Sequence, residues 1–459
     1  MSDQSSTGHL LRRSQIIEWL VFNTIGLSLI TLTSFLPAKV TAGWYDQTIY
    51  HWKTIAKLAD QLPNPDLVNI STATGPLYHL YAAIYVRLGH LTMAQAQFAV
   101  GLTTWIALVS TTLYALRNAP VSWRWLGTTA TVVSTYVLES TLWMLTDAFS
   151  LVFSILSIAL ILELRRGTGA GVIMLLGVSN LCATSTRQTA VWLLLATIVG
   201  VIAWVQPNKR FAAIMFTCVP AGAVLIWLYV LWGGATPPLT QTGNAAKPSQ
   251  VGVSVGFALW TFYVGPIVLF IRFSFREFWE SFIHSSKWTT VAILGGSFAA
   301  LPAVVWRSNY DFPARGGGWL WKLIEFSGAI RDRSPLLVVL AFMGGVFLVL
   351  IGYWLVFQKQ DAEAWLIVLS VVSALAVSAV GSNAMPKYRE IPLMACLVLT
   401  LALLAETRFV ATRHAWLPVA IPAMIQITAS ALIVGLPILQ WLASPGSVPA
   451  PEWVDTKAK

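Results

Sequence analysis

Runs of about 20 residues without a charge recur along this chain, and a helix of that length spans about 30 Å, the thickness of a bilayer core. The first is Trp19–Ala38. Others follow at Gln95–Leu116, Trp125–Leu138, Ala148–Leu162, Gly167–Thr186, Gln188–Asn208 and Phe211–Trp232. The rest are Ser254–Ile271, Trp288–Trp306, Ser334–Gln358, Ala364–Gly381, Ile391–Ala405 and Ala415–Leu442. With 56% hydrophobic and 10% charged residues, the pattern predicts an all-α polytopic membrane protein of about 13 spans, with residues 1–459 as a single integral membrane domain. Trp19–Ala38 lacks a small-residue cleavage site and reads as a span rather than a signal peptide. The segments at Trp125, Ala148 and Ile391 are short and need flanking polar residues to cross.

Basic residues gather at alternate connections: Arg12/Arg13, Arg117/Arg124, Arg165/Arg166, Lys209/Arg210, Arg272/Arg276/Lys287, Lys359 and Arg408/Arg413. The positive-inside rule places these in the cytoplasm, with the N-terminus inside and the tail 443–459 outside, in either a cell membrane or an endoplasmic reticulum membrane. A net charge of +10 invites a nucleic-acid reading, but the cations are dispersed and do not alternate with aromatics on one face, so no nucleic-acid partner is expected. Cys182, Cys218 and Cys396 sit inside spans without paired spacing, which indicates neither a disulfide framework nor a zinc site. Of the 22 tryptophans, those at span ends, including Trp44, Trp52, Trp143, Trp232, Trp306 and Trp319, read as an interface belt.

The larger polar pieces fall on the outer side: Lys39–Gly75, Gly233–Val253, Arg307–Arg333 and Ser382–Glu390. The first of these outer loops carries Asp46 and His51 just after a greasy span, where a carboxylate is expensive and therefore a functional candidate. Helix N-capping ahead of Gln47–Leu62 is the alternative for Asp46. After Pro63-Asn64-Pro65, the Gly75-Pro76 turn leads into Leu77, Tyr78, Leu80, Tyr81 and Ile84, which predicts a short interfacial helix. Asn69-Ile70-Ser71 also forms a glycosylation sequon.

Asp147 opens an outward-ended span as a cap or as a group that orients a substrate hydroxyl or a partner base. Arg187 begins another span behind Thr184-Ser185-Thr186, hydroxyls suited to capping it. A guanidinium at a helix start suits a phosphate, and pairing with Asp147 or Asp46 is its structural alternative. Trp232-Gly233-Gly234 through Asn244, Lys247 and Gln250 reads as an irregular loop, and Arg307-Ser308-Asn309-Tyr310-Asp311-Phe312 through Arg315-Gly316-Gly317-Gly318-Trp319 mixes charge, aromatics and flexible Gly at the membrane edge. In Pro386-Lys387-Tyr388-Arg389-Glu390, Lys387 and Arg389 suit either a phosphate or interfacial anchoring.

Tyr45-Asp46-Gln47 through Thr72-Ala73-Thr74-Gly75-Pro76-Leu77-Tyr78, then Thr146-Asp147, Arg187-Gln188-Thr189-Ala190-Val191-Trp192 and Gly233-Gly234 follow one another in an order that resembles the GT-C superfamily of polyprenyl-phosphate-sugar glycosyltransferases. The nearer resemblance is to the dolichyl-phosphate-glucose α-1,2-glucosyltransferase family of N-glycan precursor assembly. It covers roughly the first 250 residues. The chain departs from that family's pattern with Gln47 where the family has Glu, Ala190 where it has Asn, and a less basic loop after Gly-Gly.

The resemblance implies a GT-C-like bundle whose outer first loop contains interfacial helices. It implies inverting hexose transfer from a polyprenyl-phosphate or dolichyl-phosphate donor to a lipid-linked glycan or similar acceptor. Asp46 is then the general base, and Arg187, backed by Arg389 and Lys387, steadies the leaving phosphate. Asp147 and Gln188 position sugar hydroxyls or Arg187, His51 and Tyr78 join them as substrate-binding residues, and the Gly75–Tyr85 segment and neighbouring spans hold the prenyl chain among the membrane lipids. No metal and no organic cofactor is expected. The competing expectations are a lipid or lipid-linked-sugar transporter, in which the same charges couple movement, and a structural subunit of a glycan-assembly complex, in which Asp46 is replaceable.

Overall fold

The computed structural model describes residues 3–36, 41–167, 169–241, 250–306, 318–380 and 387–444. Among them the chain is helical, without a β-strand beyond one isolated bridge at Ile330 and Arg333. Asn244, Lys247, the segment 307–317, Pro386, the side chain of Lys387 and the tail from 445 onward lie outside the described residues.

The helices are α1 (Asp3–Phe35), α2 (Ala42–Asp46), α3 (Trp52–Gln61), α4 (Leu77–Gly89), α5 (Met93–Ala115), α6 (Val121–Val132) and α7 (Thr135–Leu142). They continue as α8 (Thr146–Leu164), α9 (Ala170–Thr186), α10 (Trp192–Trp204), α11 (Pro207–Trp232), α12 (Pro238–Gln241), α13 (Val251–Ser274) and α14 (Arg276–His284). The last are α15 (Ser286–Val305), α16 (Gly318–Phe326), α17 (Pro335–Phe357), α18 (Asp361–Val380), α19 (Lys387–Leu404), α20 (Leu417–Ser430) and α21 (Leu436–Ala443).

Nine helical stretches among the described residues are long and apolar enough to cross a membrane, and Ala170–Thr186 and Gln188–Trp204 are shorter apolar helices. Two further apolar segments of the sequence are helical in another way: α19 begins with a charged turn, and Trp125–Leu138 is divided between α6 and α7. The division falls in Thr131-Val132-Val133-Ser134-Thr135, where β-branched and hydroxyl side chains weaken the helix and offer the backbone other partners.

Backbone freed inside a membrane needs partners. Ser430 donates to the Val133 carbonyl, and Ser134 Oγ donates to Glu390 Oε1 at 2.8 Å. Glu390 Oε1 also accepts from Tyr263 OH at 2.8 Å and Gln426 Nε2 at 2.9 Å. The break is thus closed by α13, α19 and α20, immediately before the π-helical turn Ala431–Gly435.

Two groups of contacts mark the ends of the bundle. At one end, Arg124, fully buried, makes a bidentate pair with Glu18 (Nη2 to Oε1 2.7 Å, Nε to Oε2 2.8 Å), Arg117 pairs with Glu163, and Arg165 pairs with Glu406 at 2.7 Å. The opposite end gathers the first loop, the α7–α8 and α9–α10 junctions and the turn after α11. Trp143 and Trp232, read above as interface anchors, are buried here instead: the Trp232 indole donates to the Leu67 carbonyl at 2.9 Å, so it ties α11 to the first loop rather than facing lipid. Among the described residues the three cysteines are free and lie on separate helices.

Candidate active site

The first loop begins with Thr41, whose hydroxyl accepts from Trp44 N and starts α2. The helix is therefore already running when it reaches Asp46, whose side chain makes no cap hydrogen bond, so the capping alternative for this residue does not hold. The next turn, Gln47–His51, is π-helical, a wide turn frequent at functional sites. In it backbone hydrogen bonds join residues five apart, as from Trp52 N to the Gln47 carbonyl.

Gln47 fixes the turn. Its side chain is fully buried, Oε1 accepts from Met144 N at 2.7 Å, and Nε2 donates to Gln97 Oε1 at 2.8 Å. Gln97 in turn donates to the Leu142 carbonyl at 2.7 Å. The residue beside the candidate base is thereby bolted to the segment that leads into Asp147. In the sequence Gln47 stands out only as a departure from an Asp-Glu pair, and nothing in it pointed to Gln97.

Asp147 lies in the first turn of α8 but caps nothing; the N-cap position belongs to Leu145, without a side-chain bond. Its carboxylate instead accepts from Arg187 Nη1, which also donates to Thr146 Oγ1 at 3.2 Å. The side chains of Asp147 and Arg187 are 6% and 12% exposed, so this is a largely desolvated pair and the pairing alternative for Arg187 is realised. Thr146 and Asp147 both take one corner of a five-donor fork, which sets the plane of the guanidinium.

Thr184 and Thr186 do not cap the following helix. They lie in the last turn of α9 and bond back to the carbonyls of Asn180 and Cys182, each at 2.8 Å. Gln188 starts a 3₁₀ turn, Gln188–Val191, and its Nε2 donates to the Ala235 carbonyl at 3.3 Å, just past the left-handed Gly233 (φ 63°).

The rest of the first loop folds back on α3. Asp66 accepts from Val68 N, Asn69 N and Asn69 Nδ2 and faces Lys57 at 3.3 Å; the Asn69 bonds, chiefly, hold its carboxyl at about 2. The sequon amide of Asn69 is therefore engaged by Asp66. The helix predicted after Gly75-Pro76 is present as α4. A methyl group on Gly75 would meet the Ser185 carbonyl oxygen at 2.1 Å and the Thr186 carbonyl oxygen at 3.1 Å, so the loop lies directly on the backbone that delivers Arg187.

Tyr78 is fully buried, edge-on to Phe149 and His79. His79, not singled out in the sequence, is fully buried too, and its Nε2 is 2.9 Å from His51 Nδ1, the two rings stacked within 7°. Burial, the largest influence, holds His79 below the usual histidine range, and His51 pushes it the same way.

Arg389 does not stand in an open interface: it is fully buried, donates from Nη2 to the Ser378 carbonyl at 2.8 Å, and packs where a side chain on Gly252 would collide with it. The structure thus unites the Asp46 turn, His51, Tyr78, Asp147, Arg187 and Gln188 at one end of the bundle. Arg389 enters the same end on α19.

No family model matches the chain, and no curated protein matches it. Two solved structures of ArnT from Cupriavidus metallidurans match. The apo form is 12% identical over 90% of this chain and 78% of that one, with a TM-score of 0.35. The form bound to undecaprenyl phosphate is 11% identical over 87% and 77%, with a TM-score of 0.33. Likeness at this level bears on neither activity nor substrate.

Proposed function

We propose that this chain is an integral membrane glycosyltransferase that moves a hexose, glucose or a similar sugar, from a polyprenyl-phosphate donor to a lipid-linked glycan or comparable acceptor. The observation that carries the reading is the bolt from Gln47 to Met144, three residues before an Asp147–Arg187 pair. It joins an acid-bearing first loop to a cation-bearing helix junction, the two parts such a transfer needs. The order of these residues along the chain adds the resemblance to the GT-C pattern.

In this reading Asp46 takes the proton of the acceptor hydroxyl as its oxygen attacks the anomeric carbon from the face opposite the phosphate, which inverts the centre. The bond from the anomeric carbon to the phosphate oxygen breaks, and the polyprenyl phosphate keeps the electron pair. Arg187, oriented by Asp147 and Thr146, stabilises that charge; preorganised cations of this kind supply several kcal/mol of a typical barrier reduction. Tyr81 and Tyr85 on α4, with Tyr78 buried behind them, hold the first isoprene units, and Gln188 contacts the sugar. The basic connections at the opposite end of the bundle support a site on the outer or lumenal face, with the N-terminus in the cytoplasm.

The test is sugar transfer in proteoliposomes. A panel of radiolabelled polyprenyl-phosphate hexoses is offered with a lipid-extract acceptor to the native chain and to Asp46→Asn. Transfer by the native chain, lost in Asp46→Asn while donor binding persists, supports the reading. Labelled lipid that crosses the bilayer without any transfer makes the chain a transporter and ends it.

A further inference from the structure

At the end of the bundle away from the candidate site, three stretches of chain enclose a cavity of about 160 Å³. Arg117 and Asn118 reach it from the turn between α5 and α6, Arg165 and Arg166 from the end of α8, and Glu406 from the turn after α19. Arg117 and Arg166 both pair with Glu163, the latter at 2.8 Å, and Arg165 faces Glu363 at 3.5 Å, but neither of these carboxylates lines the cavity. Glu406 does line it, with Arg165 at 2.7 Å and Arg166 at 3.8 Å. The wall therefore sets three cations against one anion. A guanidinium has five N–H donors. Besides these carboxylates, the protein acceptor that the three side chains meet among the described residues is the Tyr114 carbonyl, 2.8 Å from Arg117 Nη1. Most of their donors are left for another partner, and at 22%, 32% and 41% exposed the three side chains are within its reach. Burial first, and Arg166 beside it, hold Arg117 below the usual arginine range, so an anion placed among them relieves a repulsion already present.

Tyr114 marks the depth of the cavity. It is exposed in the last turn of α5 with the Arg117 guanidinium 4.2 Å above its ring, an aromatic and a cation together at a span end as at a membrane–water boundary. Leu162 of α8 and Ala402 of α19 add apolar wall beside the charges. At about 30 Å³ for each water, the space holds about five waters or one phosphate group. In the orientation proposed above, this end meets the cytoplasmic leaflet, which carries the anionic lipids, and basic pockets between spans on that side suit their headgroups. We propose that the cavity between α5, α8 and α19 binds the phosphate of an anionic phospholipid headgroup, with Arg117, Arg165 and Arg166 as its donors. A lipid seated there fastens the α5–α6 turn to the ends of α8 and α19.

The experiment uses the full chain in nanodiscs of phosphatidylcholine alone, or of equal parts phosphatidylcholine and phosphatidylglycerol. Native mass spectrometry reads the lipid that stays on the protein after release from the disc, and tryptophan fluorescence reads its melting. The native chain should retain phosphatidylglycerol in preference to phosphatidylcholine and melt higher in the mixed discs. Equal retention of the two lipids overturns the proposal without any variant. Arg117→Gln and Arg166→Gln should each weaken retention of phosphatidylglycerol by about fivefold, the worth of one basic residue near an anionic surface. Arg276→Gln, which removes an exposed arginine outside the cavity, should retain it as the native chain does. A loss in Arg276→Gln as large as in Arg166→Gln means that surface charge alone holds the lipid, and it overturns the site. Inorganic phosphate added to phosphatidylcholine discs should leave melting unchanged. A rise that Arg166→Gln abolishes would make the cavity a site for free phosphate and overturn the lipid assignment. None of these readouts involves sugar transfer, so an inactive transferase assay leaves them standing.

Discussion

Replacing Gln47 with glutamate tests whether that side chain is the bolt of the first loop. The native amide does two jobs at once, accepting from Met144 N at 2.7 Å and donating to Gln97 Oε1 at 2.8 Å. A protonated carboxyl is nearly isosteric and can do both. An ionised one keeps the Met144 bond but sets a negative oxygen against Gln97 Oε1. If Gln97 turns its amide to compensate, the Leu142 carbonyl loses its donor. One buried polar group is unpaired either way, at about 1–3 kcal/mol, and burial of the charge adds to it, for a total of about 3 kcal/mol.

That figure corresponds to a folded-state pKa raised by roughly 2 units above the ordinary glutamate value. A raised carboxyl pKa means that stability is complete below the unfolded value and is lost as pH rises through the folded one, so the penalty develops between about pH 4 and pH 7. Apparent melting temperatures, read by tryptophan fluorescence in nanodiscs at one scan rate, should differ little between Q47E and native protein at pH 4.5. At pH 8, Q47E should melt several degrees lower. Gln47→Leu should be low at both pH values. A Q47E difference that is the same at both pH values, or absent at pH 8, would refute the assigned bonds.

Two other outcomes follow from the same geometry. In a double-mutant cycle on donor binding and melting, Arg187→Gln and Asp147→Asn should each be costly, by about 3–5 kcal/mol in stability, and the double variant should recover part of the loss; independent effects would mean the pair is not coupled. Gly75→Ala should force the loop off the end of α9, since its methyl group meets main-chain carbonyls rather than movable side chains. A stability loss of about 1–3 kcal/mol and weaker donor binding should show together, and a silent Gly75→Ala would remove the close approach from the picture.

Reading the chain without its structure recovers what charge and hydrophobicity control. Each apolar segment is helical over most of its described residues, α4 starts where Gly75-Pro76 breaks the chain, and Asp147 and Arg187 emerge as partners because both are too costly to bury alone. What it misses is set by neutral polar side chains. Gln47, Gln97, Thr146 and His79 carry no charge signature, and their partners are 28 to 97 residues away. The split at Ser134 is missed for a related reason: a window of hydropathy cannot distinguish a continuous apolar helix from one whose backbone is completed by Ser430 and Glu390, close to 300 and 256 positions away.

That split makes the two halves of the chain answerable to each other. The half that resembles a known pattern contains the broken helix, while its partners there are Glu390, itself held by Tyr263 and Gln426, and Ser430, all in the half that resembles none. Residues on α6 and α7 therefore cannot drift alone, because a hydroxyl lost at Ser134 has to be answered on α19. A chimera cut between the halves would carry an intact set of first-loop and Arg187 residues on a helix with no means of turning at the right place. The second half, whose letters say least about chemistry, is what such a graft has to bring with it.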